Sequence, residues 1–211
     1  MTAEEKRNRL IALEWEQFQK VQNAGGRADC QDEPDTFYQM RHAQYCAWPE
    51  YLLDSFARDL EEAAAEGRNL IAEKYAWMMK STAPAEFEAI RGMLKEPDAE
   101  ACALIDEIMA VYKVWTREYV RRYPAIASGG RPEESTSDSL GTSIETYQLG
   151  ELYTYSNRTL RLFRDFTKAL KAGGRNLAVM IVEDSMKGYG FRDIDDAERT
   201  ISETERTQSR A

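Results

Sequence analysis

The chain has 211 residues, 43% of them hydrophobic and 31% charged, with a formal net charge of −9. That is enough apolar material for one sizeable core. Both halves are acidic and no Lys/Arg stripe exists, so counterion release has no basic face to work through and nucleic-acid binding is not expected. No apolar run approaches the roughly 20 residues of a membrane span, and the N-terminus reads as a charged helix, so a cytoplasmic protein without a membrane partner is expected. Cys30, Cys46 and Cys102 form an odd set with no C-x-x-C, which points to reduced thiols.

In chain order, nearly every segment reads as helix. Thr2 and Glu5 form a capping box, and Ile11, Trp15, Phe18 and Gln22 trace one face until Asn23-Ala24-Gly25-Gly26 stops the helix. A polar loop leads to Pro34, with Asp32 or Glu33 suited to cap a helix holding Phe37, Met40 and Tyr45. Pro49 opens the next helix, with Leu52, Phe56, Leu60 and Ala63 inward, and Gly67 ends it. Asn69 is suited to cap a helix carrying a Glu73–Lys74 ion pair among Leu70, Met78 and Met79. Pro84 starts a shorter piece. Pro97 opens the longest helix, with Leu104, Ile108, Val111, Trp115 and Tyr119 at helical spacing. Residues 124–141 read as the only long loop. Helices resume near Ser143, after Ser156 or Asn157, and at Leu177, and a charged helix follows Asp193 and frays toward the end.

The chain also echoes itself. Gly67-Arg68-Asn69-Leu70 recurs as Gly174-Arg175-Asn176-Leu177, Met79-Lys80 as Met186-Lys187, and Gly25-Gly26-Arg27 as Gly129-Gly130-Arg131. Trp15 and Trp115 stand in the helices that precede the two Gly-Gly-Arg runs. The expected fold is an all-α, pseudo-duplicated helical bundle of about eight to nine helices in one domain over 1–211. Its halves fall at 1–83 and 97–190, joined by a short helix over 84–95 and followed by a charged tail over 191–211. Gln44 matches Glu151, Tyr45 matches Leu152 and Trp48 matches Tyr155, so these pairs should approach one another if the halves are related by a pseudo-twofold.

Residues 25–36 are the densest polar segment: a glycine turn, Arg27, Cys30 and four carboxylates running into a helix start, where anions settle and thiols ionise more easily. Such a segment reads either as a site or as an acidic cap with Arg27 paired locally. His42 is the single histidine and shares a face with Tyr38 and Cys46. It rules out two-histidine metal sites, and a zinc set of Cys30, Cys46 and His42 lacks an evident fourth ligand. Asp32, Asp35, Glu73 and Glu151 keep a carboxylate-bound Mg²⁺ or Mn²⁺ open, although no D-x-D spacing marks it and no metal ligands are assigned. The glycines follow helices rather than strands, so the Rossmann and P-loop readings fail and no organic cofactor is implied.

Trp15-Glu16-x-Phe18 through Val21-x-Asn23, with Gly25-Gly26-Arg27-Ala28-x-Cys30-Gln31-Asp32, resembles the signature of a bacterial family of all-helical proteins of unknown function. Glu73-Lys74-Tyr75-Ala76 and Gly150-Glu151-Leu152 fit the same pattern. The resemblance covers nearly the whole chain and brings no mechanism, but it directs attention to the polar segments.

The function expected from the sequence is a cofactor-independent lyase or hydrolase working by acid-base chemistry on a small anionic or zwitterionic metabolite, such as an amino acid derivative. Arg27 and Arg41, with Gln44, would bind substrate. Asp32, His42 and Cys30 would transfer protons, with Tyr155 and Glu151 from the second half. A non-catalytic ligand-sensing or protein-interaction module is the alternative, and a carboxylate-metal hydrolase a second. A homo-oligomer is compatible with the sequence.

Overall fold

The computed structural model describes residues 1–22, 26–134 and 142–208. Among the described residues there are eleven α-helices and no strand. They are α1 (Ala3–Gln19), α2 (Pro34–Cys46), α3 (Glu50–Ala65), α4 (Leu70–Thr82), α5 (Pro84–Ile90), α6 (Ala99–Arg122), α7 (Pro124–Ser128), α8 (Ile144–Leu152), α9 (Asn157–Ala172), α10 (Leu177–Gly188) and α11 (Ile194–Gln208).

Local chemistry sets most of these boundaries. Thr2 and Glu5 form the expected capping box. Asn69, Asp98, Ser143, Ser156 and Asn176 each accept a backbone N–H through their side chains and so start α4, α6, α8, α9 and α10. Gly67 and Gly174 take positive φ (74° and 65°) just past α3 and α9. The Arg68 N–H then bonds back to the Ala63 carbonyl and the Arg175 N–H to that of Leu170, closing both helices in the same way.

The layout is reciprocal. Helices α3 and α9 lie against each other, linked by a 2.7 Å hydrogen bond between the buried Ser55 and Thr159 hydroxyls. Helix α1 packs on α2, α3 and α4, and α6 packs on α8, α9 and α10. The remaining helices cross over, α4 to α8 and α10 to α2. Asn69 donates to the Gln17 carbonyl of α1, and Asn176 to the Trp115 carbonyl of α6. Trp48, Phe56, Tyr112, Tyr155 and Phe163 fill the centre, with Tyr155 and Phe56 centroids 4.6 Å apart.

Several expectations need correction. Residues 124–141 are not one loop: Pro124 starts α7, whose first N–H groups at Ala125 and Ile126 are both accepted by Glu198 at 2.9 Å. The charged helix expected after Asp193 is α11, and it buries Ile194 and Ala197 against α7 and α10. The five-residue α7 helps raise the helix count above eight to nine. Neither Asp32 nor Glu33 caps α2 through its side chain; Glu33 holds the cap position without a side-chain bond. Glu73 pairs with Arg68 rather than with Lys74. On α1 the buried face runs through Leu10, Ile11, Glu14, Gln17 and Phe18, while Trp15 is only half-buried. The expected stop at Asn23-Ala24-Gly25, the stretch 135–141 and the last three residues lie outside the described residues.

Gly150 is where α8 meets α4 most closely. A Cβ there would stand 2.6 Å from Met78 Cγ and 2.9 Å from the Lys74 carbonyl oxygen. Gly150→Ala should therefore lower stability by about 1–3 kcal/mol through overpacking. Urea unfolding should show a lower midpoint with an unchanged slope.

Candidate functional site

The α4–α8 approach brings four charged side chains together inside the fold. Arg41 of α2 places Nη1 2.6 Å from Glu151 Oε1 of α8 and Nε 3.2 Å from Glu14 Oε2 of α1. Lys74 of α4 stands 3.5 Å from Glu151 Oε1 and donates to the Tyr147 hydroxyl at 2.9 Å. Gln44 donates to Glu151 Oε2 at 2.9 Å and accepts from Arg41 Nη1 at 2.7 Å. The Tyr45 hydroxyl donates to Glu14 Oε2 at 2.7 Å. Arg41, Glu14, Lys74 and Glu151 are all buried, at 5%, 1%, 2% and 5% exposure, a degree of sequestration that charges tolerate only when paired.

The two carboxyls respond differently. Burial pushes Glu14 up, more than Arg41 pulls it down. Burial would also raise Glu151, but the Arg41 guanidinium and Lys74 ammonium outweigh it and hold that carboxyl below its ordinary 4.5. Although burial opposes their charge, Arg41 is raised well above its usual range by Glu14, Tyr147 and Glu151, and Lys74 by Tyr147 and Glu151.

Arg41, Gln44 and Glu151 of this cluster line a cavity of about 350 Å³, a size suited to a small molecule. Phe18, Phe37, Ile71 and Tyr75 give it apolar walls, and Cys30, Glu33, Tyr147 and Arg131 reach it from other sides. Arg41 Nη2 makes no hydrogen bond to any described residue, whereas Nη1 makes two and Nε faces Glu14 in an ion pair at 3.2 Å. The Arg131 guanidinium lies over the Tyr147 ring, 4.6 Å from the centroid, and neither Arg131 nor Glu33 joins an ion pair among the described residues.

Of the residues singled out from the sequence, the structure gathers Cys30, Arg41, Gln44 and Glu151 around this cavity. Gln44 and Glu151, placed at matching stations by the sequence comparison, are in direct contact. Arg27 and Asp32 instead pair with each other at 2.9 Å near the surface, and Arg27 also donates to Gln19 and to the Gln31 carbonyl. Gln31 anchors this turn, its amide donating to the Phe18 and Val21 carbonyls at the end of α1. Tyr155 sits in the aromatic core, where burial pushes its phenol well above the usual range. It borders a second cavity of about 340 Å³ at the α8–α9 turn. Part of the polar wall there is internally paired: Asp59 accepts from the Ser156 N–H and hydroxyl and pairs with Arg158. His42 faces α10, between Cys46 and Asp184. Asp32, Asp35, Glu73 and Glu151 do not converge: Asp32 is held by Arg27, Glu73 by Arg68 and Glu151 by the cluster, and no metal-ligand group among the described residues includes any of the four.

Sequence reasoning passed over Glu14, Lys74, Tyr147, Glu33 and Arg131. For the first two a signal existed. Glu14 follows Leu10 and Ile11 on the apolar stripe of α1, and Lys74 follows Leu70 and Ile71 on that of α4. A charge inside such a stripe has to find a buried partner.

A family model described as a protein of unknown function, DUF4125, matches residues 4–199. The chain belongs to that family. The DUF4125 match spans every helix that contributes to the cluster and to the cavity. No curated protein and no solved structure matches the chain.

Glu151 and Glu14 act on stability with opposite pH dependence. Glu151, depressed in the fold, contributes stability above its ordinary 4.5 that is lost as pH falls through the lower folded value. Glu14, raised in the fold, contributes stability below 4.5 that is lost as pH rises through the higher folded value. Glu151→Gln, which leaves Arg41 and Lys74 facing one carboxyl, should cost about 3–5 kcal/mol at neutral pH. Urea unfolding at several pH values should show this loss shrinking below pH 4.5 and disappearing as pH falls through the lower value at which folded Glu151 takes up its proton. Glu14→Gln should cost less than Glu151→Gln at neutral pH.

Proposed function

We infer that this protein is an enzyme for a small anionic or zwitterionic metabolite with an apolar side group, such as an amino acid derivative, bound in the cavity between α1, α2, α4 and α8. The observation that carries this reading is the unpartnered Nη2 of buried Arg41 beside that cavity. A guanidinium with two nitrogens fixed and a third unused is pre-organised for a ligand carboxylate. Arg131 supplies a second cation, and the apolar walls accept the side group.

The chemistry best suited to these groups is proton transfer, as in a lyase or hydrolase. Lys74 donates to the Tyr147 oxygen, so the phenol's own hydrogen is available to the ligand. Tyr147 is then the acid, its anion stabilised by Lys74 and by the Arg131 guanidinium over the ring. Glu33, a carboxylate without an ion pair among the described residues, is the base, with Cys30 beside it at the cavity. Of the residues proposed from the sequence, Arg41, Gln44, Cys30 and Glu151 keep places in this scheme, whereas Arg27, Asp32, His42 and Tyr155 have none.

The same reading includes an origin by duplication in a bacterial, cytoplasmic protein, with the Trp15–Asp32 segment as a family signature. Matching caps at Asn69 and Asn176, matching closures at Gly67 and Gly174, and the reciprocal crossing of α4 and α10 support the duplication. The asparagine contacts favour aligning Gln17, rather than Trp15, with Trp115.

The test is a thermal-shift series on the purified chain with N-acetyl amino acids and the corresponding amides. Carboxylates should raise the melting temperature, by the equivalent of about 2.7 kcal/mol at a concentration of 100 Kd, and the amides should not. Arg131→Ala should weaken the effect about tenfold or more, a change of roughly 1.4 kcal/mol. Equal shifts with acid and amide, or an unchanged response in Arg131→Ala, would count against this site. Once a substrate is found, Tyr147→Phe should lower turnover about 10²–10⁴-fold with binding retained. Binding without turnover in the wild type would leave a ligand-sensing module instead.

A further inference from the structure

The lone histidine lies outside the cavity just described. His42 and Cys46, four residues apart on α2, point along one face toward α10, where Asp184 meets them. Their ligand atoms all lie within 4.8 Å of one another. Cys46 Sγ is 3.4 Å from His42 Nδ1, and Asp184 Oδ2 is 3.5 Å from the same nitrogen.

We propose that His42, Cys46 and Asp184 form a binding site for a zinc-type divalent cation that ties α2 to α10, with a fourth coordination position open to water. Tetrahedral zinc with ordinary Zn–S, Zn–N and Zn–O bonds sets its sulfur and nitrogen ligands about 3.5–3.6 Å apart and its nitrogen and oxygen ligands about 3.3–3.5 Å apart. The Sγ–Nδ1 and Oδ2–Nδ1 separations are of that size; Sγ also lies 3.5 Å from Nε2, so the imidazole turns about its Cβ–Cγ bond to aim one nitrogen at the ion. Thiolate, imidazole and carboxylate together suit zinc, cobalt or nickel, not the all-oxygen shells that magnesium and calcium prefer.

The surroundings hold the three ligands in place. The Tyr38 ring stacks on the imidazole with centroids 5.7 Å apart and is itself fixed by donating to Asn8 at 2.7 Å. One turn further along, Gly188 lets α10 approach Gln39 of α2 closely, since a Cβ there would lie 2.5 Å from Gln39 Nε2. That approach keeps Asp184 within reach of His42. On binding, Cys46 releases its proton to solvent, and thiolate plus carboxylate balance the dication. Arg7 and Glu4 of α1 act on the thiol with opposite charges, so the wider site stays near neutral. His42 and Asp184 are about one-third exposed, at 33% and 36% of their side chains, which leaves the fourth position accessible to water. Three protein ligands and an open position are the arrangement of zinc sites that also bind or activate a ligand.

The experiment is titration of the reduced, chelator-treated full chain with Co²⁺, read by absorbance, followed by Zn²⁺ displacement. One equivalent of Co²⁺ should produce visible bands of a four-coordinate ion and a near-ultraviolet thiolate-to-cobalt band, both removed by Zn²⁺. Cys46→Ser should abolish the near-ultraviolet band, while Cys30→Ser and Cys102→Ser leave it intact. Asp184→Asn is nearly isosteric and partly exposed; it should weaken Co²⁺ binding by more than the roughly 10–100-fold that loss of a supporting contact costs. Circular dichroism identifies folded variants, and the Cys30→Ser and Cys102→Ser comparison on the wild-type Cys46 background stands even if a ligand variant unfolds. The proposal is overturned if the wild type gives no thiolate band, if the band follows Cys30 or Cys102, or if folded Cys46→Ser and Asp184→Asn proteins bind as the wild type does. None of these readouts depends on the cavity or on Arg41.

Discussion

The buried ion pair between Arg41 and Glu151 is the constraint around which the candidate site is arranged. It joins α2 to α8 through a 2.6 Å contact between two side chains that are each only 6% exposed. Each ion loses several kcal/mol of hydration on burial, and only close pairing with further hydrogen bonds recovers it. The surroundings show that recovery: Gln44 bridges both partners, Glu14 takes the Nε side of the guanidinium, and Lys74 comes within 3.5 Å of the same carboxylate. Gly150 is part of the same requirement, since any side chain there would push α8 away from Lys74.

Four charges with no net excess make a costly way to hold helices together. An apolar cluster of similar volume would often be as stable or more so. The central aromatic cluster a short distance away does that work without charge. What the charges supply is an oriented guanidinium and an ammonium-supported phenol on the wall of a cavity, groups that a metabolite can use and a core cannot. The cation site proposed between α2 and α10 stands on the opposite face of α2, so that helix presents one set of side chains to the cavity and another to α10.

Much of the fold was legible in the sequence because it is governed by local rules. Caps at Thr2, Asn69 and Ser156 and the stop at Gly67 announce themselves within a few residues. Helix α7 was not legible, because its start is capped by Glu198, more than seventy residues away in the chain. Asp184 was invisible for the same reason, since only packing brings it to His42. The candidate site was half legible. Gln44 and Glu151 stand at matching stations and Arg41 is a cation beside them, while the polar groups at 27–36 divide between a turn and the cavity. There Arg27, Asp32 and Gln31 stabilise a turn, and Cys30 and Glu33 reach the cavity. Glu14 and Lys74 carried the better signal, as charges inside apolar stripes.

The claim that the buried charges are kept for binding rather than for stability is tested most directly by equilibrium unfolding of the Glu14→Gln/Arg41→Met/Lys74→Met/Glu151→Met variant. The substitutions remove both cations and both anions, so no buried charge is left without its partner. Stability should equal or exceed that of the wild type, because four buried charges no longer need desolvation. A loss of about 3 kcal/mol or more, comparable to breaking the pair from one side, would contradict it and make the cluster a structural clamp.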